Sequence, residues 1–366
     1  MRAPVEGPGM WALESAMDEL AYALDLDPLE LRLRNHADTD PASGKPWSSK
    51  RLREAYHLGA ERFGWHRRPH TAERDGDWLV GWGMASATMG CLRFPAAARV
   101  VLRADGTAVV ESSFNDIGTG TFAVLAQLVA DGLGVPFDRV QVRNGDSTLA
   151  EASGTFGSST TMCVGAAVMD AVRRIRAECG NGDPVVALRA SGRAEISAAG
   201  TFSPGEGLMM ETDGHAGPYA MRTWGAMFVE VGVDPELGLL RLRRALGCYS
   251  VGRIVNPRTA RSQFIGGMIW GWGMAAMEAS AFEPRLGRFL SKDLAGVPLP
   301  VNADITNIDA IWVDEEDPHA SPFGGKGIGE IGAVGVAPAV ANAVFHATGK
   351  RIRSLPILPG KLLAGE

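Results

Sequence analysis

Apolar residues at Met10, Leu13, Met17, Leu20 and Leu24 recur at helical spacing and fall on one face, which predicts a helix over residues 10–24. A second helix should begin at Asp27, with Pro28 at its first position and Glu30 completing a capping box. Ser48 or Ser49 is placed to cap a third, whose inward face is Leu52, Ala55, Tyr56 and Phe63. The polar run from Arg67 to Asp77 reads as a linker. From Gly81 the period changes. Residues 99–110 form a hairpin pattern turning at Asp105-Gly106. A helical run through Leu125, Leu128 and Val129 follows, then a strand over 139–142, then a helix opened by the Gly157 to Thr161 segment. Strands near 226–233 and 239–244 flank a turn at 234–238. A Trp- and Gly-rich helix over about 263–278 comes next, then a strand near 308–313 and a last helix with Pro338 early and Gly349 as its stop.

Short strands and helices alternate, so the expected class is mixed α/β of the α+β kind. The 366 residues are too many for one compact core. The polar, glycine-rich stretch from Ser191 to Gly207 is taken as a boundary. The expected division is a helical lead-in and linker (1–77), a first lobe (78–205) and a second lobe (206–366).

Composition changes this picture little. Net charge is −6 with no basic stripe, which argues against nucleic acid as a partner. Cys91, Cys163, Cys179 and Cys248 lie far apart with no CxxC pair, so a zinc or iron–sulfur site held by this chain alone is not expected. No apolar run approaches membrane-spanning length on inspection, and no signal-peptide pattern opens the chain. Cytoplasm is the expected location. The 46 glycines call for many tight turns and close backbone approaches.

Residues 327–332 match GxGxxG, yet a dinucleotide fold needs a strand immediately before the glycines and an acidic residue about 20 positions on. Here the strand ends near Val313, and the later chain reads Arg351-Ile352-Arg353. A P-loop fails because glycine follows Lys326. What remains is Glu330, a carboxylate in a glycine turn among Ile328, Ile331, Val334 and Val336. It either caps the following helix or serves as a base in a dry setting. Gly118-Thr119-Gly120-Thr121 and Gly157-Ser158-Ser159-Thr160-Thr161 each precede a helix and are suited to cradle an anion. Two such turns in one lobe favour a ligand with more than one phosphate. Gln263, His319, His346 and the Trp and Met residues of 268–277 read as capping, loop, helix and core residues. Asp314 to Asp317 read as a solvated loop.

In order along the chain, these segments resemble the C-terminal half of the molybdenum-cofactor subunit of the xanthine dehydrogenase/aldehyde oxidase family. The resemblance rests on Met1-Arg2-Ala3-Pro4, Asp116 to Thr121, Gly145-Asp146-Ser147, Gly157 to Thr161, Gly252 to Pro257, Gln263, Lys326 to Glu330 and Ala347 to Arg351. The stretch from Asp317 to Glu330 is similar to that of bacterial aldehyde oxidoreductases. Two departures stand out: no Gly-Gly-Phe-Gly loop is present, and Leu294-Ala295-Gly296-Val297-Pro298 lacks the family's usual Asp-Tyr pair.

The resemblance implies two molybdopterin-binding lobes and an oxidation of an aldehyde or N-heterocycle with water as oxygen source. It implies Glu330 as the base and Arg2 near metal or substrate. Gly118, Thr119, Gly120, Thr121, Gly157, Ser158, Ser159, Thr160, Thr161, Gln263, Lys326 and Gly327 would hold the cofactor. The metal would be bound through the pterin dithiolene, with no protein ligand, and the pterin would take its cytosine dinucleotide form. The implied partners are the N-terminal half of the subunit, an iron–sulfur chain carrying [2Fe-2S] and a chain carrying FAD. The alternative is a fragment of such a subunit that binds no cofactor alone.

Overall fold

A computed structural model describes residues 1–204 and 217–364. Helices α1 (Glu6–Ala23), α2 (Pro28–Arg34) and α3 (Leu52–Phe63) come first. Strands β1 (Glu73–Asp75) and β2 (Trp78–Gly90) follow. Next come β3 (Ala96–Arg103), β4 (Ala108–Glu111), α4 (Thr121–Leu133), β5 (Val140–Arg143), α5 (Thr160–Cys179), α6 (Pro184–Ala190) and β6 (Glu195–Phe202). Then β7 (Arg222–Val233), β8 (Leu240–Ser250), α7 (Pro257–Ala276) and a small hairpin of β9 (Phe282–Glu283) and β10 (Arg288–Phe289). The chain closes with β11 (Ile308–Trp312), α8 (Ile331–Val334), α9 (Val336–Thr348) and α10 (Pro359–Ala364). Mixed α/β is borne out.

The larger sheet has the order β1-β2-β7-β8-β11, antiparallel except for the parallel β8–β11 pair. The smaller sheet, β5-β4-β3-β6, carries α4 and α5. Residues 96–202 are therefore inserted between β2 and β7, which pair in register from Leu79↔Val233 to Gly90↔Arg222. This corrects the boundary expected at residue 78: β2 belongs to the second lobe's sheet, and so do the helices read as a lead-in, since α1 lies on α9 and α3 lies on β7 and β8. The expected boundary at 205/206 falls outside the described residues. Sequence order misled because a strand's lobe is set by its hydrogen-bonding partner, which here lies far down the chain.

Helices seat on both sheets at close range because glycine faces them. A Cβ at Gly81 would lie 2.0 Å from the Ala343 carbonyl oxygen, and one at Gly83 would lie 2.2 Å from that of Ala339. On the smaller sheet, a Cβ at Gly200 would meet the Ala167 carbonyl oxygen at 2.1 Å. Residues Ile331–Thr348 are apolar and long enough to cross a membrane, which sequence inspection missed, but 89% of the run is buried inside the protein. His346 on α9 is structural as expected. It accepts the Trp82 N–H at Nδ1 (3.1 Å) and meets the Pro69 carbonyl at Nε2 (2.9 Å). Burial, aided by the Arg68 charge, pushes its imidazole down to about 4.

Helix α1 departs most from its sequence pattern. Leu13, Leu20 and Leu24 are exposed (54%, 46% and 53%), while Glu14 and Asp18 are buried. Glu14 accepts from the Arg32 Nε (2.7 Å) and the Ser86 amide (2.8 Å), and Asp18 accepts from Arg351 (2.9 Å). Buried partners outweigh the apolar periodicity: a carboxylate can be interior when a cation pairs and hydrogen-bonds with it. Two caps also differ from expectation. Asp27 alone caps α2, and Glu30 pairs with Arg34 instead. Ser48 and Ser49 do not cap α3, because their hydroxyls donate to Asp317 (2.6 and 3.1 Å).

Arg32→Met should destabilise the fold by about 3–5 kcal/mol, because it strands a buried carboxylate. Leu13→Ala should stay within about 0.5 kcal/mol despite its place in the apolar stripe. Chemical denaturation of the two variants checks both; a larger loss for Leu13→Ala would put α1 the other way round.

Candidate active site

The starts of α4 and α5, the segment before α7 and the turn before α8 converge on one cavity of about 420 Å³. Each helix begins there for a local reason. Gly118 and Gly120 take φ of +87° and +84°, which turns the chain into α4. Asn256 caps α7 by accepting from the Arg258 and Thr259 amides, with Pro257 as the first helical residue. The helix thus starts six residues before the expected one, and Gln263 sits in its second turn rather than at its start.

Glu330 precedes α8 but makes no side-chain cap. Its Oε1 accepts the Ala3 amide (3.0 Å) and its Oε2 accepts the Ser158 hydroxyl (3.0 Å). This resolves the alternatives left open by the sequence: the carboxylate turns away from the helix and lines the cavity. Ala3 (φ 50°) and Ser158 (φ 60°) are two of the three non-glycine residues with positive φ among those described. Such conformations cost of order 1–3 kcal/mol each, so the surrounding packing must hold them. Gly327 shows how, since a Cβ there would lie 2.3 Å from the Ser158 carbonyl oxygen. The two turns lie flush.

Arg2 donates to the Gln263 carbonyl (2.9 Å) and lies 5.6 Å over the Trp270 ring. Burial pushes its guanidinium pKa down, and the Glu330 charge opposes that shift. Gly118, Thr119, Thr121, Gly157, Ser158, Thr160 and Thr161 all line the cavity. Gly120 and Ser159 do not. Gly120 packs on Thr259, whose Cγ2 a Cβ would approach to 2.5 Å, and the Ser159 hydroxyl donates to the Phe156 carbonyl (2.8 Å). No side chain caps the first turn of α4 or α5 among the described residues, so their N–H groups remain able to meet an anion. Gln263 Oε1 and Thr160 Oγ1 are buried at the cavity and find no hydrogen-bond partner among the described residues.

Lys326 plays another part than the sequence suggested. Only its backbone is left to line the cavity, because its ammonium is wholly buried against Asp317 (3.3 Å) and Glu315 (3.7 Å). It also donates to the carbonyls of Ser49 and Arg222 (3.2 and 3.1 Å). The loop read as solvated is half interior: Glu315 and Asp317 are buried (5% and 0% exposed). Burial pushes both carboxyls up, but the Lys326 ammonium and donors from serine hydroxyls and backbone amides outweigh it and leave both below the usual range. Sequence reasoning also missed Ala3, whose contribution is a backbone N–H, and Arg253, which lines the cavity from the Gly252 to Pro257 segment. His319 stacks on Tyr219 (4.0 Å), away from the lining residues.

Residues 58–187 and 180–306 match a family model described as a molybdopterin cofactor-binding domain, and residues 1–36 match a second of the same description. The chain is 42% identical to the molybdenum-binding subunit of an Escherichia coli (strain K12) aldehyde oxidoreductase, over 99% of this chain and 52% of that protein. It is 30% identical to a putative xanthine dehydrogenase molybdenum-binding subunit of the same organism, over 96% of this chain and 51% of that protein. The chain thus spans about half the length of these relatives. Among solved structures, the aldehyde oxidoreductase of Desulfovibrio gigas superposes with a TM-score of 0.83 at 23% identity, covering 100% of this chain and 41% of that one. The Cu,Mo-CO dehydrogenase gives 0.82 at 20%, over 98% and 51%. These two establish likeness of fold.

The Lys326 cluster makes stability depend on pH with a definite sign. Its carboxyls titrate lower folded than unfolded, so their contribution is complete above the ordinary carboxylate range near 4 and is lost as pH falls through and below it. Lys326→Met should cost about 3–5 kcal/mol at neutral pH by leaving two buried carboxylates without their cation. Acid titration of unfolding free energy should show a shallower fall in that variant. Equal slopes would remove the cluster as the cause.

Proposed function

The chain belongs to the molybdopterin cofactor-binding family, and from that premise we propose that it forms the catalytic C-terminal half of a molybdenum-dependent oxidoreductase. The reaction proposed is oxidation of an aldehyde with water as oxygen source, as the name of the relative at 42% identity suggests. One observation carries the reading: the Glu330 carboxylate is fixed by two donors at a cavity and caps nothing.

The residues present fit the cofactor. Buried Gln263 Oε1 and Thr160 Oγ1 lack partners among the described residues, which is costly unless a ligand meets them. The first turns of α4 and α5 suit pterin and phosphate oxygens, and Arg253 adds positive charge at the wall. When bound, the molybdenum–pterin group would supply the two-electron oxidation. No group of three or more His, Cys, Asp and Glu that could hold a metal occurs among the described residues, so we assign metal binding to the pterin. Glu330 would take up the proton released by the water that attacks the substrate carbon. Arg2, tied to the Gln263 carbonyl and lying over the Trp270 ring, would orient the polar end of the substrate. The cytosine dinucleotide form, a separate N-terminal half, and [2Fe-2S] and FAD chains as electron acceptors complete the proposal.

Glu330→Gln should retain molybdenum in the assembled enzyme while kcat falls by about 10²–10⁴-fold. Metal analysis with steady-state kinetics on an aromatic aldehyde checks this. Turnover within a few-fold of wild type would exclude Glu330 as the base. Absence of molybdenum from the chain, produced alone and together with a complementary half, would count against the whole reading.

A further inference from the structure

Ser158 has two recorded acceptors for its single hydrogen. One is Glu330 Oε2 at 3.0 Å, and the other is Met89 Sδ at 3.8 Å. We propose that the Ser158 hydroxyl is a two-position partner of Glu330. It donates to the charged carboxylate and accepts from it once a proton has arrived, with the Met89 thioether then receiving the hydroxyl hydrogen. The inference rests on reading Glu330 as the base, and it makes Ser158 a positioning residue.

The Ala3 amide can only donate, so Glu330 Oε1 must remain an acceptor. The proton then belongs on Oε2, the oxygen facing Ser158. Two hydrogens cannot share that line, so the hydroxyl turns and offers a lone pair. Its own hydrogen then needs another acceptor: Ser158 is half-buried at the cavity wall, and the protein acceptor within reach is the thioether sulfur of buried Met89. No bond in Ser158 breaks: its O–H rotates, Glu330 gains one proton, and the same proton later leaves. Arg2 is the charged group recorded as facing Glu330, and it stays outside this exchange.

Glu330→Gln imitates the protonated state at neutral pH, in the chain without cofactor. The Ala3 amide requires the amide oxygen, so the NH₂ group must face Ser158. Thermal unfolding of a mutant cycle reads the switch. Glu330→Gln should lower Tm by about 2 °C more in a Met89→Leu background than in wild type. That excess should vanish when Ser158→Ala is added. Ser158→Ala changes only the hydroxyl, since alanine already occupies φ 50° at position 3. In the assembled enzyme, Met89→Leu should lower kcat about threefold with KM unchanged. Additive Tm changes would overturn the proposal. Full turnover by Glu330→Gln together with a non-additive cycle would instead sink the base assignment and leave the hydroxyl switch standing.

Discussion

Two hydrogen bonds to one carboxylate tie together residues 3, 158 and 330, segments 327 and 172 positions apart. Nearly every other feature of the structure serves that meeting. The start of α1 must reach the mouth of the cavity, the inserted lobe must present the turn before α5, and the glycine turn before α8 must lie flush on it. Both donors sit in left-handed backbone that side chains disfavour. Neither would persist in a loose loop. Ser158 persists because its turn lies against Gly327, where a would-be Cβ would stand 2.3 Å from the Ser158 carbonyl oxygen.

The same logic extends outward. Lys326, four residues before Glu330, binds the turn to the loop after β11, to the approach to α3 and to the first residue of β7. A buried ammonium among two carboxylates gains little net stability. It does specify one arrangement, because any other leaves a charge unpaired in the interior. Glycine on the sheet faces allows α9 and α5 to approach closely, which sets how the two lobes lean on the cavity between them.

Helix α1 shows where periodicity stops being informative. Its apolar stripe is regular, yet Leu13, Leu20 and Leu24 face outward and Glu14 and Asp18 face inward. The pattern identifies a helix correctly but does not give its buried face, which holds Met10 with Glu14 and Asp18, because the partners that make the two carboxylates interior, Arg32 and Arg351, lie on other elements. The loop of Asp314 to Asp317 fails for the same reason: its alternate carboxylates, Glu315 and Asp317, meet Lys326 in the next turn. Charge run and solvated loop are the same string of letters until a counterion is placed.

What the sequence determined by itself was local. Helices, the hairpin at Asp105-Gly106, the two Ser/Thr-Gly turns and the stop at Gly349 follow from spacing and from residues that turn or cap the chain. The ordered set of motifs was enough to reveal the family, and Glu330 could be singled out as a glutamate in a glycine turn. Tertiary structure alone decided whether that glutamate capped a helix or faced a cavity, which lobe owned β2, that Lys326 was a brace, and that the Ala3 amide and Ser158 hydroxyl were its partners. The reason is range. A turn or a cap is settled among neighbours within a few residues, whereas burial, ion pairing and the orientation of a carboxylate are settled by groups on other elements, 327 and 172 positions away for Glu330, which only the folded chain brings within 3 Å or so of one another.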